Sequence, residues 1–549
     1  MAVLAVLLVG APGVVATRAA PSPAAAPELG LVAGRSATGF AEARAAGLRA
    51  VSLLADWSLI EARRGQPVWD ELDRAVAAAA QEGLAPVVVL AHTPRWASLA
   101  TGVDLTRPEV FARQPPRDVR DWDRFVGWAV ARYRGRVRDW QIWTHLGLPA
   151  FRGTGSEYLA LLQTASARIR ALDPQARVIA TSPAGVDLGF AVRLAETAPA
   201  AFDAIVVPAT GMSPEALLRP LGVLGARLRE RGRHLWLQWA PDATADAPRA
   251  AGEWLKMLLV ADATGVQRLV AAEPERSIGA VRQAVTRLGA RRVTGYLLRD
   301  PEVFVAAAES PEDGILAAWA RGERTLELPA APGIQGVPLD GRAGALEVRD
   351  GRVLAHLREI PLVLTGVPAG LLEEARATAA RRPWLPLPAR DYSGSREVQA
   401  RLGNPGEEHG LYNAAYRHRP NGAVEVIDLD GTTAVRTAVG RGVVYVYFDV
   451  DDTFLYFAEG RVPLEVHVEV WGARASQQLG FNLLYDAAGG YRFTPWVWVE
   501  PGEGWRTYTI RLPDASFANT WGYDFAINAA GNRVEDLTVR TVRVRKVAP

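Results

Sequence analysis

A chain of 549 residues with 49% apolar and 22% charged side chains has room for about two to four packed domains, and its composition excludes a disordered or fibrous protein. Sixty-two basic against 60 acidic side chains leave a net charge of +2, which excludes the one-sided basic footprint of a nucleic-acid binder. With no cysteine, disulfides, thiolate metal centres and a cysteine nucleophile are excluded as well.

Residues 1–26 read as a leader and linker. The first 20 have an apolar core and small residues at Ala16 and Ala20, like a signal peptide without its basic start. Gly10, Pro12 and Gly13 interrupt the run, which is short for a membrane span. The expectation is an exported protein, secreted or held at the cell surface, with no stable membrane span after signal cleavage. Residues 27–290 alternate short apolar runs with amphipathic helices. That is the signature of βαβ units and a parallel sheet. Eight strands are predicted, at 29–33, 48–54, 86–91, 137–143, 177–180, 204–207, 234–239 and 267–271. Eight strands in such a length suit a (β/α)8 TIM barrel. A doubly wound sheet is the alternative, but no glycine-rich phosphate turn follows the first strand.

Residues 291–366 read as a small β-sandwich, with strands at 293–297, 303–308, 315–319, 325–328 and 362–364. Gly314, Gly322, Asp340-Gly341 and Asp350-Gly351 mark its turns. Residues 367–395 read as a linker with one amphipathic helix and a proline-rich end. From 396 to 549 the pattern is all β, with strands at 443–448, 464–471, 479–485, 491–499, 505–512 and 534–547.

The first half carries a family resemblance. Trp57, Glu61, Gly65, Trp69 and Asp73 follow the spacing of the entry motif of glycoside hydrolase family 39 and related clan A enzymes. His92, Thr93, Pro94 and Trp96 follow the third strand as T-P-x-W-A does there. Pro115-Pro116, Trp122, Phe125, Arg132 and Tyr133 precede the fourth strand in the same order, and Tyr158 and Asp173-Pro174 follow it. Tyr447–Phe457 (YFDVDDTFLYF), Tyr485-Asp486, Trp505 and Asp514–Asn519 (DASFAN) resemble a jelly-roll, carbohydrate-binding-like module found behind bacterial glycosidases. The resemblance implies a barrel with its site at the C-terminal ends of the strands and a carbohydrate or polysaccharide partner. It implies no nucleic acid and no cofactor.

The same resemblance locates the missing chemistry. A retaining glycosidase needs two carboxylates about 5 Å apart. In clan A one is the Glu of an Asn-Glu pair after strand four, and the other is a Glu at the end of strand seven. Here Thr144 and His145 stand at the first place, and Gln238 or Trp239 at the second. Histidine shuttles protons but is a poor glycosyl nucleophile in this geometry. The leading expectation is therefore a pseudo-glycosidase with no catalytic residues, binding a glycan or a partner. Trp57, His92, Trp96 and Trp143 are the expected substrate-binding residues, with Trp239 and His145 beside them, because sugar faces stack on aromatic rings. Trp239 filling the old site, with a closed mouth, is the structural alternative. Two other classes stay open: an active hydrolase with relocated carboxylates, Asp242 and Glu273 being the candidates, and a structural cell-surface protein. No His/Asp cluster has zinc-ligand spacing and no G-x-S-x-G elbow is present.

Overall fold

A computed structural model describes residues 26–547 apart from 36–37, 147–149, 184, 330, 332, 342–345, 386–387, 389, 415–421, 430, 473–478, 503 and 534. The leader lies outside the described residues. Eight parallel strands close into a barrel in sequence order. They are β1 Glu28–Gly34, β2 Ala50–Asp56, β3 Ala85–Ala91, β4 Asp139–Ile142, β5 Arg177–Thr181, β6 Ala204–Pro208, β7 His234–Trp239 and β8 Arg268–Ala271. β1 pairs with both β2 and β8, so the sheet has no open edge.

The strands are apolar along their length because both faces are covered, one by helices and one by the barrel's own interior. The helices start where the sequence supplies caps. Asp118, Ser213 and Asp246 each accept a backbone N–H of the helix they open. Thr154 and Glu157 form a reciprocal capping box ahead of helix Gly155–Leu172. Among the described residues no helix is long and apolar enough to cross a membrane.

Beyond the barrel, a five-stranded antiparallel sheet (Gln335–Pro338, Leu362–Thr365, Gly314–Ala320, Val303–Glu309, Arg292–Leu297 in spatial order) faces a three-stranded one (Arg324–Pro329, Arg352–Leu357, Leu346–Arg349). Val305, Leu316, Leu328 and Val353 fill the space between them. Helix Ala369–Arg381 lies on strand Arg292–Leu297. Gly295 permits that approach, since a Cβ there would sit 2.3 Å from the Ala375 backbone.

The C-terminal part is a second sandwich. Its six-stranded sheet runs Leu411–Asn413, Tyr445–Val450, Phe525–Asn528, Gly480–Ala487, Gly490–Phe493, with Val497–Trp498 added to Gly480–Ala487. A seven-stranded sheet holding Leu464–Trp471, Trp505–Leu512 and Thr538–Lys546 faces it across Val466, Phe481, Leu483 and Val542. The stretch expected as one strand over 491–499 is two, because Pro495 has no N–H for a ladder bond.

This sandwich docks on the barrel's side. Arg193 donates to the carbonyls of Ala488 and Gly489 at 3.1 and 3.0 Å. Arg219 pairs with Asp452 and Arg227 with Glu459, both at 2.8 Å.

Candidate functional site at the barrel mouth

Side chains alternate in and out along each strand, so one inward residue fixes the rest. Asp139 on β4 bonds Arg268 on β8 across the barrel at 2.8 Å, and both face in. Trp236 packs with Ala50, Val87, Ile179, Ala204 and Val206, which come from four other strands. One step nearer the mouth, the polar inward positions are Ser52, Gln141, Thr181 and Gln238. All four are uncharged.

Thr144, His145, Gln238 and Trp239 lie at the same end of the barrel, the C-terminal ends of β4 and β7. Gln238 faces in. Trp239 faces out, packing edge-on against Trp254 of helix Ala247–Thr264 at 4.9 Å and donating from Nε1 to the Met212 carbonyl at 2.8 Å. It is 0% exposed. Gln238, not Trp239, therefore occupies the orientation of a barrel-facing carboxylate on β7. Gln141 donates from Nε2 to the Trp143 carbonyl at 2.9 Å, and Thr181 Oγ1 donates to the same oxygen at 3.0 Å. These two bonds hold Trp143, whose φ of 70° is left-handed for a bulky residue.

Three titratable groups do reach the mouth, Asp56, His92 and His145. Asp56 ends β2, and its Oδ2 meets His92 Nδ1 at 2.8 Å. Burial raises its pKa, but the His92 and Ser58 bonds outweigh burial and hold the carboxyl below its ordinary value. Asp56 is thus ionised and has no proton to give. His145 is shifted down by burial, then by the charges of Arg113 and His92, so its ring is neutral at pH 7.

The expected aromatic platform does not form. Trp57 and Trp143 are each 0% exposed. Trp57 stacks on Phe125 and donates to Glu61 Oε2 at 2.7 Å. Trp143 donates to the Ala150 carbonyl at 3.0 Å and packs on Phe151. Neither offers a face to a ligand, because the loops above the strands close over them. Trp96 is half-buried, bonded to the Glu61 carbonyl at 2.8 Å and roofed by the guanidinium groups of Arg64 and Arg124. Glu61 itself is fully buried, accepting from Gly65 N and Trp57 and meeting Arg124, so it fastens a loop. Of the four expected sugar contacts, only His92 and part of Trp96 reach solvent.

The two relocation candidates are exposed. Asp242 accepts from Thr244 N and Oγ1 in a local turn, which keeps its pKa low. Glu273 pairs with Arg276 at 2.8 Å. Sequence reasoning missed a different carboxylate pair. Glu215 and Glu253 both bind Lys256 Nζ, at 3.0 and 2.7 Å, beside a cleft of about 390 Å³ between the barrel and the small sandwich. Burial raises Glu215, but Lys256 and the Trp319 indole more than offset that, so it stays low; burial raises Glu253 on balance. Lys256 is one of only two lysines in the chain, and this was the one available signal. Among the described residues no group of three His, Asp or Glu side chains is arranged to hold a metal ion.

No protein family and no curated protein matches the chain. Among solved structures it is similar to a family 39 glycoside hydrolase from the gut symbiont Bacteroides cellulosilyticus WH2. The TM-score is 0.51 at 16% identity, over 62% of this chain and 81% of that one. It is also similar to a GH30 endoxylanase from Clostridium papyrosolvens C71, with TM-score 0.45 at 13% identity over 63% of this chain and 98% of that one. A glucosidase from Croceicoccus marinus aligns over 93% of this chain and 92% of its own, at 12% identity and TM-score 0.39. At such identities the likeness speaks for fold alone: a closed (β/α)8 barrel like that of the family 39 hydrolase, followed by β-sandwich sheets.

Proposed function

We propose that this chain is an exported, glycoside-hydrolase-like protein that binds carbohydrate without hydrolysing it. One observation carries the reading. At the ends of β4 and β7 the mouth is offered Thr144, His145 and Gln238, where hydrolysis by this fold needs two carboxylates. Asp56 is the one acid at the strand ends that faces the mouth among the described residues, and it is committed to His92. Export rests on the apolar stretch 1–20.

Carbohydrate contact belongs on the C-terminal sandwich rather than in the barrel. Tyr491 and Phe493 share the outer face of the six-stranded sheet, and Trp498 joins them there because its neighbour Val497 packs inward. Trp521 stacks on Tyr491 with ring centroids 4.1 Å apart and planes 5° apart. Phe493, Trp498 and Trp521 are 53%, 59% and 43% exposed. Aromatic rings left in water on one sheet face are where a sugar's C–H face gains most. Trp521→Ala is expected to weaken retention on a polysaccharide affinity gel roughly tenfold or more, while Trp96→Ala leaves it unchanged. Equal retention of the Trp521→Ala variant and the parent would remove the platform.

A second reading, a hydrolase with displaced carboxylates, has one observation in its favour. Glu215 and Glu253 are pushed in opposite directions beside a cleft, as an acid and its partner would be. Lys256 stands against it, since its ammonium already binds both.

A further inference from the structure

Three aspartates stand side by side on neighbouring strands of the C-terminal six-stranded sheet. Phe448 pairs with Phe525, and Tyr485 pairs with Phe525 on the other side. The next position along each ladder therefore sets Asp449 opposite Asp524, and Asp486 opposite Asp524. The backbone bonds Asp524 N to Phe448 O and Asp486 N to Asp524 O continue those ladders. Like charges directly opposite on adjacent strands repel, and Asp486 and Asp524 are buried besides. Among the described residues no Arg or Lys hydrogen-bonds any of the three.

Apart from Val450 N, what they bind is one loop. Asp486 accepts from Ala518 N at 2.9 Å and from Thr520 Oγ1 at 3.3 Å. Asp524 accepts from Asn519 N at 3.1 Å and from Val450 N at 2.9 Å. Asp449 accepts from Asn519 Nδ2 at 2.5 Å. That loop meets the barrel: the Thr520 carbonyl is 3.7 Å from where a Cβ on Gly185 would be. The neighbouring turn at Ala488 and Gly489 takes the two Arg193 bonds.

We propose that the Asp449–Asp524–Asp486 row is a proton-operated latch between the C-terminal sandwich and the barrel. Carrying protons, the row holds residues 515–524 in the shape that docks beside β5. Ionised, its own repulsion loosens that loop and the docked surface with it.

The surroundings favour the protonated row. The charges of Asp187 on the barrel, Asp451 and Asp452 act on Asp486, Asp449 and Asp524 in turn, each opposing ionisation. Tyr456 and Tyr491 stand against Asp486 and Asp524 as well, and Tyr523 against Tyr491. The cations at the seam are committed: Arg219 to Asp452 at 2.8 Å, and Arg193 to the two carbonyls. Burial, first of all, pushes Asp486 up to about 6, and burial with neighbouring carboxylates raises Asp449 and Asp524 too. A carboxyl raised above its unfolded value of about 3.9 stabilises the fold most below that value. The contribution disappears as pH rises through the folded value. The latch is therefore closed in mild acid and begins to loosen as pH rises through about 6, where Asp486 ionises.

Hydrogen–deuterium exchange on the full chain at pH 5.5 and 8, corrected for intrinsic rates, tests this. Protection of segments 486–490, 515–524 and 185–193 is expected to fall roughly tenfold to a hundredfold at pH 8, with the barrel strands unchanged. In Asp486→Asn, which cannot ionise, most of that fall is expected to vanish. A parent chain whose seam is equally or better protected at pH 8 overturns the proposal, and this arm needs no variant to fold. So does an undiminished fall in both Asp486→Asn and Asp524→Asn. Calcium chloride restoring protection at pH 8 in the parent but not in the variants would make the row a cation site, and would overturn the proton latch as well.

Discussion

Asp139→Ala is expected to destabilise the chain by about 3–5 kcal/mol, enough to threaten the fold outright. Asp139 is 3% exposed at the base of the barrel. It accepts from Arg177 Nε and Nη2 at 2.6 and 2.7 Å and from Arg268 Nη1 at 2.8 Å. Arg268 is itself 2% exposed, lies over the Trp236 ring at 4.0 Å, and keeps only Glu28 at the rim once Asp139 is gone. Removing one member of a buried ionic group strands the others in a low dielectric, which costs far more than the pair contributes. Urea unfolding followed by tryptophan fluorescence reads the loss directly. Asp139→Leu combined with Arg268→Met, which removes both charges and keeps the volume, is expected to cost less than Asp139→Ala alone. A loss under about 1 kcal/mol for Asp139→Ala would mean that the base of the barrel is wet and its charges are solvated.

The second large effect separates two adjacent residues of β7. Trp239→Glu, which writes a carboxylate into the last position of β7, is expected to cost at least about 3–5 kcal/mol and to yield no activity. The side chain points away from the mouth, into Trp254 and the Met212 carbonyl, so the new carboxylate would be buried without a partner. Gln238→Glu faces the barrel interior among Gln141, Thr181 and Ser52 and is expected to fold with a midpoint near that of the parent. The melting temperatures of the two variants form the check. Equal losses would mean that β7 is turned by one residue and that the inward set is misassigned.

All eight barrel strands could be read from the chain because parallel strands covered on both faces are continuous apolar runs ended by Gly, Pro or Asp. The predicted bounds at 234–239 coincide with β7, and the other seven miss by one or two residues at one or both ends. The polar strands Glu407–His409 and Leu346–Arg349 were not legible. They sit at sheet edges where neither face needs an apolar residue.

The site was harder to read for a related reason. In His-Leu-Trp-Leu-Gln-Trp every residue is a credible strand residue, so the run shows no inward face. Only the contact of Trp236 with four other strands turns Gln238 in and Trp239 out. The aromatic platform failed because a Trp in a sequence does not say whether a loop will cover it. The aspartate row depended on register between strands some 40 to 75 residues apart, which no local pattern carries.

The central claim is that this barrel holds its fold without hydrolytic chemistry. The most direct test is the release of reducing sugar by the purified full chain, offered aryl β-glycosides and a panel of β-linked polysaccharides from pH 5 to 8. The predicted result is release at background for every substrate and pH, with the affinity-gel binding that Trp521→Ala weakens still present in the same preparation. Turnover that Glu253→Gln, Asp242→Asn or Glu273→Gln abolishes would contradict the account and place an active site outside the old mouth.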